Sequence, residues 1–254
     1  MTDLVYVYAI LGEAPPTLPS GIDGRTVRAV NDGDLYAAVG DVPEAEFSEE
    51  ALNAGLADMH WLGPRAVAHQ EVNQQLHEAS SAIVPLAFGT VFHDDGRVKT
   101  MLREQYAELR ARLARVKDRA EWVVAVHRTG TPGPTAAIDA LEAEIAAASP
   151  GRAHLLKRRY AELERDETRR QETDAVQHVL DSLRAAADDV FVEPLPADAV
   201  ERPLLRVSVL VPRADEDRFV DVVAGLRTTW YDVLLTGPWP PYRFGGLEHA
   251  AATL

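Results

Sequence analysis

The chain contains no cysteine among its 254 residues. This absence excludes disulfides, thiolate zinc sites, iron–sulfur clusters and a cysteine nucleophile, and it fits a reducing compartment. No apolar run reaches the roughly 18 residues that a membrane-spanning helix needs. Asp3 stands where a secretion signal would carry positive charge. The sequence therefore predicts neither a membrane anchor nor a signal peptide.

Positive charge is also scarce. Twenty-six Lys and Arg stand against 40 Asp and Glu, which gives a formal net charge of −14. This balance argues against a broad nucleic-acid footprint and is typical of a well-solvated surface. Apolar residues make up 46% and charged residues 26%, the usual globular mixture, and the length suffices for one large or two small domains.

Motifs for catalysis and nucleotide binding are missing as well. There is no G-x-S-x-G, G-x-G-x-x-G, P-loop or H-E-x-x-H pattern. His69, Asn73 and His77 recur at i, i+4 and i+8 of a predicted helix, but the two histidines would lie about 12 Å apart along its axis. We interpret them as a polar stripe on an amphipathic helix. Glu71 and Glu78 could act as acid and base, but 40 acidic residues make such a pair expected by chance.

The N-terminal half shows strand and hairpin patterns. Residues 4–11 are apolar on both faces, which predicts a central strand. "NDGD" at Asn31–Asp34 is a hairpin turn signal between two strand-like runs. Ser81–Phe92 predicts an edge strand because it contains proline and glycine. Residues 98–116 predict one amphipathic helix.

The first helix has clear start and stop signals. Ser48 is a natural N-cap, followed by acidic residues in the first turn. Leu52, Leu56 and Met59 follow with helical spacing, and Gly63-Pro64 is expected to break the helix.

The C-terminal half alternates strands and helices in the order β-α-β-β-α-β, the split βαβ of a ferredoxin-like domain. We therefore predict an α+β fold with two domains: an N-terminal mixed α/β domain (1–118) and a C-terminal ferredoxin-like domain (119–254) with a long helix. The predicted elements are strands at 121–128, 190–193, 204–211 and 229–236, and helices that include 152–188 and 215–227.

The long helix 152–188 contains neither glycine nor proline, and its middle, "ERDETRRQETDA", is almost wholly polar. Such a segment stands in solvent or meets a partner. Arg165, Arg169 and Arg170 are therefore candidate partner contacts. The basic run Lys157–Arg159 is interpreted as a solvated face rather than a phosphate site.

The segment "TGPWPPYRFGG" (Thr236–Gly246), here the C-terminal strap, combines prolines, aromatics and glycines. Prolines stiffen such a segment at low entropic cost. We predict that it closes the second domain and that Trp239, Tyr242 and Phe244 anchor it or contact a partner. A P-x-x-P motif from Pro238 leaves open an adaptor function, which would require an exposed Trp239.

Four stretches together resemble the gas vesicle GvpL/GvpF family, in order and spacing over essentially the whole chain. They are "YVYAI" (Tyr6–Ile10), "IVPLAFGTVF" (Ile83–Phe92), "GRAHLLKRR" (Gly151–Arg159) and "LTGPWPPYRF" (Leu235–Phe244). The resemblance implies a two-domain α+β architecture with a ferredoxin-like C-terminal domain.

The resemblance also implies a function. It points to a non-enzymatic accessory or minor structural protein of gas vesicles, which acts in shell assembly or nucleation within the cytoplasm. The implied partners are the small hydrophobic shell protein of the GvpA type and other accessory proteins, with no cofactor, nucleic acid or membrane. The alternative is a ferredoxin-like small-molecule enzyme or ligand sensor, with an inter-domain pocket lined by His69, His77 or His127.

Overall fold

The computed structural model describes residues 3–195 and 202–247, which form two compact units. The N-terminal unit comprises residues 3–122, 210–213 and 237–247, and the C-terminal unit comprises residues 123–195, 202–209 and 214–236.

The sheet of the N-terminal unit is antiparallel. Its strands are β1 (Asp3–Leu11), β2 (Val27–Asp32), β3 (Leu35–Pro43), β4 (Ile83–Pro85) and β5 (Val91–Phe92). They lie in the order β2-β3-β1-β4, and β5 also pairs with β1. The prediction of a central first strand is confirmed: β1 is covered on both faces from its second residue onward, as its uninterrupted apolar run requires.

The predicted hairpin joins β2 to β3. Asp32 pairs with Leu35, and Val27 pairs with Gly40 at the far end. Gly33, in the two-residue turn, has a φ of 61°, a conformation that glycine adopts without the steric cost of a side chain.

Three helices of the N-terminal unit lie between β3 and β4, and two follow β5. The first three are α1 (Glu44–Phe47), α2 (Glu49–Leu56) and α3 (Met59–Ala79), and the other two are α4 (Asp95–Glu104) and α5 (Tyr106–Val116). The Ser48 cap is confirmed, since its side chain accepts a hydrogen bond from the Ala51 backbone N–H at 3.4 Å. The predicted break at Gly63-Pro64 is wrong. The chain breaks at Ala57-Asp58, where Asp58 caps α3, and the helix runs through Pro64, which is exposed near its start.

Two further sequence predictions are corrected in this unit. The segment Ser81–Phe92 forms two short strands separated by a turn, because Pro85 ends β4 and both strands pair with β1. The single helix expected over residues 98–116 is two helices, separated at Gln105.

Two apolar clusters form the core of the N-terminal unit, one on each face of the sheet. The first includes Val7, Leu109 and Phe244. The second includes Tyr6, Tyr8 and Phe47. The alternation of β1 side chains between the two clusters is the ordinary consequence of the period of two along a strand.

The second sheet contains β6 (Arg119–Arg128), β7 (Asp189–Val192), β8 (Leu205–Pro212) and β9 (Tyr231–Trp239) in the order β7-β8-β6-β9. Its helices are α6 (Ala136–Ala147), α7 (Pro150–Ala186) and α8 (Glu216–Ala224). The boundary between the units falls within β6, β8 and β9. The single long helix predicted from the sequence is confirmed by the 37 residues of α7.

The C-terminal strap differs from the expectation in two ways. Strand β9 is the edge strand of its sheet and continues through Pro238 to Trp239. A short helix, α9 (Tyr242–Gly245), follows. All of the strap except Thr236 belongs to the N-terminal unit rather than to the C-terminal one, because Phe244 packs into the N-terminal core.

Candidate partner-contact surfaces

The C-terminal strap is fixed on α3 by side-chain hydrogen bonds. The Tyr242 hydroxyl donates to Gln70 Oε1 at 2.6 Å, and Gln74 Nε2 donates to the Pro238 carbonyl at 3.4 Å. Burial, with a smaller contribution from Glu121, raises the pKa of Tyr242 to about 12. Tyr242 is therefore a neutral hydrogen-bond donor throughout the physiological pH range.

A buried carboxylate fixes the next turn of the strap. The Arg243 backbone N–H donates to Glu121 Oε2 at 2.7 Å, and Glu121 is almost fully buried. The Arg112 guanidinium donates to the Gly246 carbonyl. The ring of Phe244 is buried, with the Arg115 guanidinium 5.6 Å from its centroid.

The three aromatic residues proposed from the sequence as partner contacts thus have different environments. Phe244 is a core residue, Tyr242 is half-buried and hydrogen-bonded, and Trp239 is 37% exposed. Trp239 is the one best placed to touch another molecule. The adaptor interpretation of P-x-x-P is not favoured, because Pro240 and Pro241 are buried.

Beneath the strap, His69 lies inside the N-terminal unit and is hydrogen-bonded on both ring nitrogens. Its Nδ1 is 2.8 Å from the Tyr6 hydroxyl, and its Nε2 is 3.0 Å from the side-chain amide of Asn73. The Gly89 backbone N–H donates to the Tyr6 oxygen at 3.1 Å. The ring of Tyr8 stacks on that of His69, with centroids 5.8 Å apart.

The hydrogen positions of this network follow from its partners. Tyr6 accepts from Gly89, so its own buried hydrogen needs an acceptor, and His69 Nδ1 is that acceptor. The Leu86 backbone is a further hydrogen-bond partner of the His69 ring, and the Asn73 atom that lies 3.0 Å from Nε2 is the side-chain nitrogen. Burial lowers the pKa of His69 to about 4, so the ring is neutral at pH 7.

His77 is also turned inward. The Arg213 guanidinium donates to its Nδ1 at 3.1 Å and to its backbone carbonyl. Burial, and then the charge of Arg213, lowers the pKa of His77 to about 4. The interpretation of His69, Asn73 and His77 as a stripe on one helix is right in spacing, but all three are buried. The sequence did not reveal this, because their partners are distant along the chain.

Three large apolar side chains are exposed along the end of α2 and the first half of α3. Met59 is 71% exposed and Val67 58% exposed, and Leu56 is also on the surface. The helical spacing of Leu56 and Met59 predicted that both lie on the apolar face of one helix. That prediction is wrong, because the chain turns at Asp58 between them. Asp58 is a good N-cap residue, so the start of α3 has a signal in the sequence.

The arginines of α7 lie on the surface of the C-terminal unit. Arg170 pairs with Glu167 at 2.6 Å and with Asp174 at 3.3 Å. Arg165 and Arg169 line a cavity of about 710 Å³ between α7 and the loop before α6.

The outer edge of β9 is partly occupied by neighbouring groups. The Tyr231 carbonyl accepts from the Thr228 N–H at 3.1 Å. The Val233 N–H donates to Asp232 Oδ1 at 2.8 Å, and its carbonyl accepts from the Arg227 guanidinium at 3.4 Å. An added strand would have to displace these bonds.

Histidines and acidic side chains do not converge on a metal site in the part of the chain that the structure describes. His127 lies in the C-terminal unit, where it lines a cavity with Arg202 and Asp232. Within residues 3–195 and 202–247, none of the helices combines the length and apolar character needed to cross a bilayer.

The fold places the chain in a class of mixed α and β proteins with two antiparallel sheets. The crystal structure of the gas vesicle protein GvpF from Anabaena sp. PCC7120 has this fold, with a TM-score of 0.70, 17% sequence identity and 98% coverage of both chains. GvpF from Microcystis aeruginosa is similar, with a TM-score of 0.67 and 18% identity over 97% of this chain and 100% of that one.

Sequence comparisons agree with the fold. The family described as "Gas vesicle synthesis protein GvpL/GvpF" matches residues 4–245. Gas vesicle protein L of Streptomyces sp. (strain CB03234) is 33% identical over 252 residues, covering 96% of this chain and 93% of the relative. Gas vesicle protein F of the same strain is 29% identical over 256 residues, covering 94% and 98%. The chain belongs to the GvpL/GvpF family of gas vesicle proteins, as its four sequence motifs predicted.

Proposed function

We propose that the protein is a non-enzymatic accessory or minor structural protein of gas vesicles. It acts in assembly or nucleation of the shell by binding the shell subunit of the GvpA type and other accessory proteins, at the gas vesicle within the cytoplasm. The family membership supports a gas vesicle role. The assembly step and the partners are the proposal.

One observation of the structure carries the binding role. Leu56 and Met59 expose large apolar side chains at the junction of α2 and α3, and Val67 exposes another about 12 Å further along α3. Large exposed apolar side chains are available to bind an apolar surface of another protein. A hydrophobic shell subunit, which must be kept from aggregating before assembly, has the matching chemistry.

We propose a side-chain contact rather than strand addition for this interaction. On the outer side of β9, the backbone carbonyl of Tyr231 and the backbone N–H and carbonyl of Val233 are already hydrogen-bonded. Binding by strand addition draws its affinity from such backbone groups. In the proposed complex, Trp239 is the best-placed aromatic contact of the strap.

For the C-terminal unit we propose the ferredoxin-like architecture. Two features support this proposal. Along the chain, helices lie between β6 and β7 and between β8 and β9, whereas β8 follows β7 with no helix in the described residues between them, which gives the order β-α-β-β-α-β. In the sheet, the strands lie in the order β7-β8-β6-β9.

Co-purification tests the proposed function. The full chain and a tagged shell subunit are produced together, with a Met59→Ser/Val67→Ser variant alongside. We expect wild-type protein to co-purify and the variant to be reduced. The matched control is Leu155→Ser/Leu234→Ser, which removes two exposed apolar side chains of the C-terminal unit.

A Trp239→Ala variant tests the strap in the same experiment. Loss of co-purification by this folded variant would add Trp239 to the contact surface. If the wild type retained no shell subunit, or if the Leu155/Leu234 control lost as much as the Met59/Val67 variant, the proposed contact would be refuted.

A further inference from the structure

The motif Gly151–Arg159 forms the first turns of α7 and contributes no buried residue to the core. The motifs at Tyr6–Ile10 and Ile83–Phe92 form the N-terminal sheet, and Leu235–Phe244 is the end of β9 and most of the anchored strap. By contrast, none of the nine residues at Gly151–Arg159 is buried. Their side chains are therefore available to another molecule.

This motif is the start of an unusually basic region. Arg152, Lys157, Arg158 and Arg159 occur without a single carboxylate between Gly151 and Tyr160, in a chain whose net charge is −14. Arg152 pairs with Glu144 at 2.6 Å. The other three cations form no ion pair or side-chain hydrogen bond within the described part of the chain.

The positive charge of the motif continues along one side of α7, from Arg158 to Arg165 and Arg169. Arg158, Arg165 and Arg169, here the basic stripe, are separated by seven and four residues, so they share a helix face about 16 Å long. All three are exposed. Arg165 donates only to the Ala161 carbonyl of its own helix, and Arg169 has no side-chain partner among the described residues. Arg165 and Arg169 also border the cavity beside α7.

Glu162 lies four residues after Arg158, and Asp166 lies three residues before Arg169, but the arginines of the basic stripe form no ion pair with a carboxylate in the described part of the chain. Arg165 and Arg169 are like charges at i, i+4, a spacing that is mildly unfavourable. Arg170, on another side of α7, shows the stabilising arrangement, because Glu167 and Asp174 flank it. The stripe therefore has unused charge that a partner with carboxylates would neutralise.

We propose that the basic stripe of α7 binds an acidic helical segment of a partner protein. Carboxylates that recur on one face of that segment would meet Arg158, Arg165 and Arg169 in turn, and charge complementarity would set the register. The inference rests on the proposed function in one respect: the partner is taken to be another gas vesicle component.

An acidic protein segment fits the basic stripe better than a nucleic acid or an anionic bilayer does. A nucleic acid or an anionic bilayer extends far beyond the stripe and would meet the repulsive field of the whole acidic chain. A bilayer also needs a broad apolar helix face, whereas Leu155 is the one large apolar side chain that the described part of α7 exposes strongly. A short acidic helix is no longer than the stripe and extends over little of the acidic surface beyond it.

A peptide titration with the full chain tests the proposal. The probe is a fluorescein-labelled helical Ala/Gln peptide with three Glu at i, i+4 and i+11, and the control peptide has Lys at the same places. We expect saturable binding of the Glu peptide in fluorescence anisotropy at low salt. Binding should weaken by about tenfold or more in Arg158→Glu/Arg169→Glu and also on addition of salt.

The matched control variant is Arg97→Glu/Lys99→Glu in α4. It changes the net charge by the same amount at exposed positions, and it should bind the Glu peptide as the wild type does. Circular dichroism confirms that both variants remain folded. The proposal is overturned if the Glu peptide does not bind, if the Lys peptide binds equally, or if the α4 variant loses as much affinity. It is also overturned if RNA or anionic vesicles bind as tightly as the Glu peptide.

Failure of the proposal is distinguishable from failure of the proposed function. If the shell subunit co-purifies with the wild type but the Glu peptide does not bind, only the basic stripe is refuted. If the peptide binds and no gas vesicle component co-purifies, the acidic-segment site stands and its assignment to a gas vesicle partner falls.

Discussion

Acidification should destabilise the N-terminal unit through its two buried histidines. His69 and His77 have folded-state pKa values of about 4, against an ordinary value of 6.5. Between these values the unfolded chain binds more protons than the folded one, so stability is fully present above pH 6.5 and falls as the pH drops toward 4.

The size of the effect follows from the same pKa values. Each histidine contributes about 3 kcal/mol over the full interval, of which about 2 kcal/mol is lost between pH 7 and pH 5. The two together therefore remove about 4 kcal/mol, a large part of a typical free energy of unfolding. Glu13, whose pKa is lowered by its hydrogen bonds to Ser81, remains charged over this range.

Urea unfolding at several pH values, followed by circular dichroism and tryptophan fluorescence, measures this loss. The double variant His69→Gln/His77→Gln should be less stable at pH 7 but nearly insensitive to pH between 7 and 5. His60→Gln, at an exposed position of the same helix, is the control and should keep the wild-type slope. The reasoning would be refuted if the wild type had the same free energy of unfolding at pH 7 and pH 5. It would also be refuted if the free energy of unfolding of the double variant fell with pH as steeply as that of the wild type.

Three further predictions concern the C-terminal strap, with unfolding by urea as the measurement. Gly237→Ala should cost about 1–3 kcal/mol, since a Cβ there would lie 3.0 Å from the Glu121 carbonyl oxygen and φ is 135°; an unchanged midpoint would contradict this. Phe244→Ala removes a buried ring and should cost about 3–5 kcal/mol, and a loss below 1 kcal/mol would argue against its place in the core. Tyr242→Phe removes only the hydroxyl bonded to Gln70 and should cost about 1 kcal/mol, whereas a larger loss than for Phe244→Ala would contradict the assigned environments.

The elements that could be predicted from the sequence have local causes. The uninterrupted apolar run of β1, the Gly33 turn and the long α7 each follow from a pattern within one segment. The family motifs could also be recognised from the residues alone, and the family match over residues 4–245 confirms them.

The features that could not be predicted depend on contacts between distant segments. Nothing adjacent to His69 shows that Tyr6 is its partner, 63 residues away. The strap packs against the first unit because Phe244 completes a core whose other buried members, apart from Leu210, precede it by more than a hundred residues. Met59 is exposed because of where α3 begins, and an apolar side chain alone does not show whether it is covered.

The return of Phe244 to the N-terminal unit has a consequence for synthesis of the chain on the ribosome. Residues 123–209 and 214–236 are all made before Phe244, which completes the first core. At ordinary translation speeds of about 5–20 residues per second, the interval between Trp122 and Phe244 is roughly 6–25 seconds. During it, the apolar side chains that await Phe244 stay open to water, to chaperones and to other nascent chains. The chain thus spends the last part of its own translation with an apolar surface of its N-terminal unit exposed.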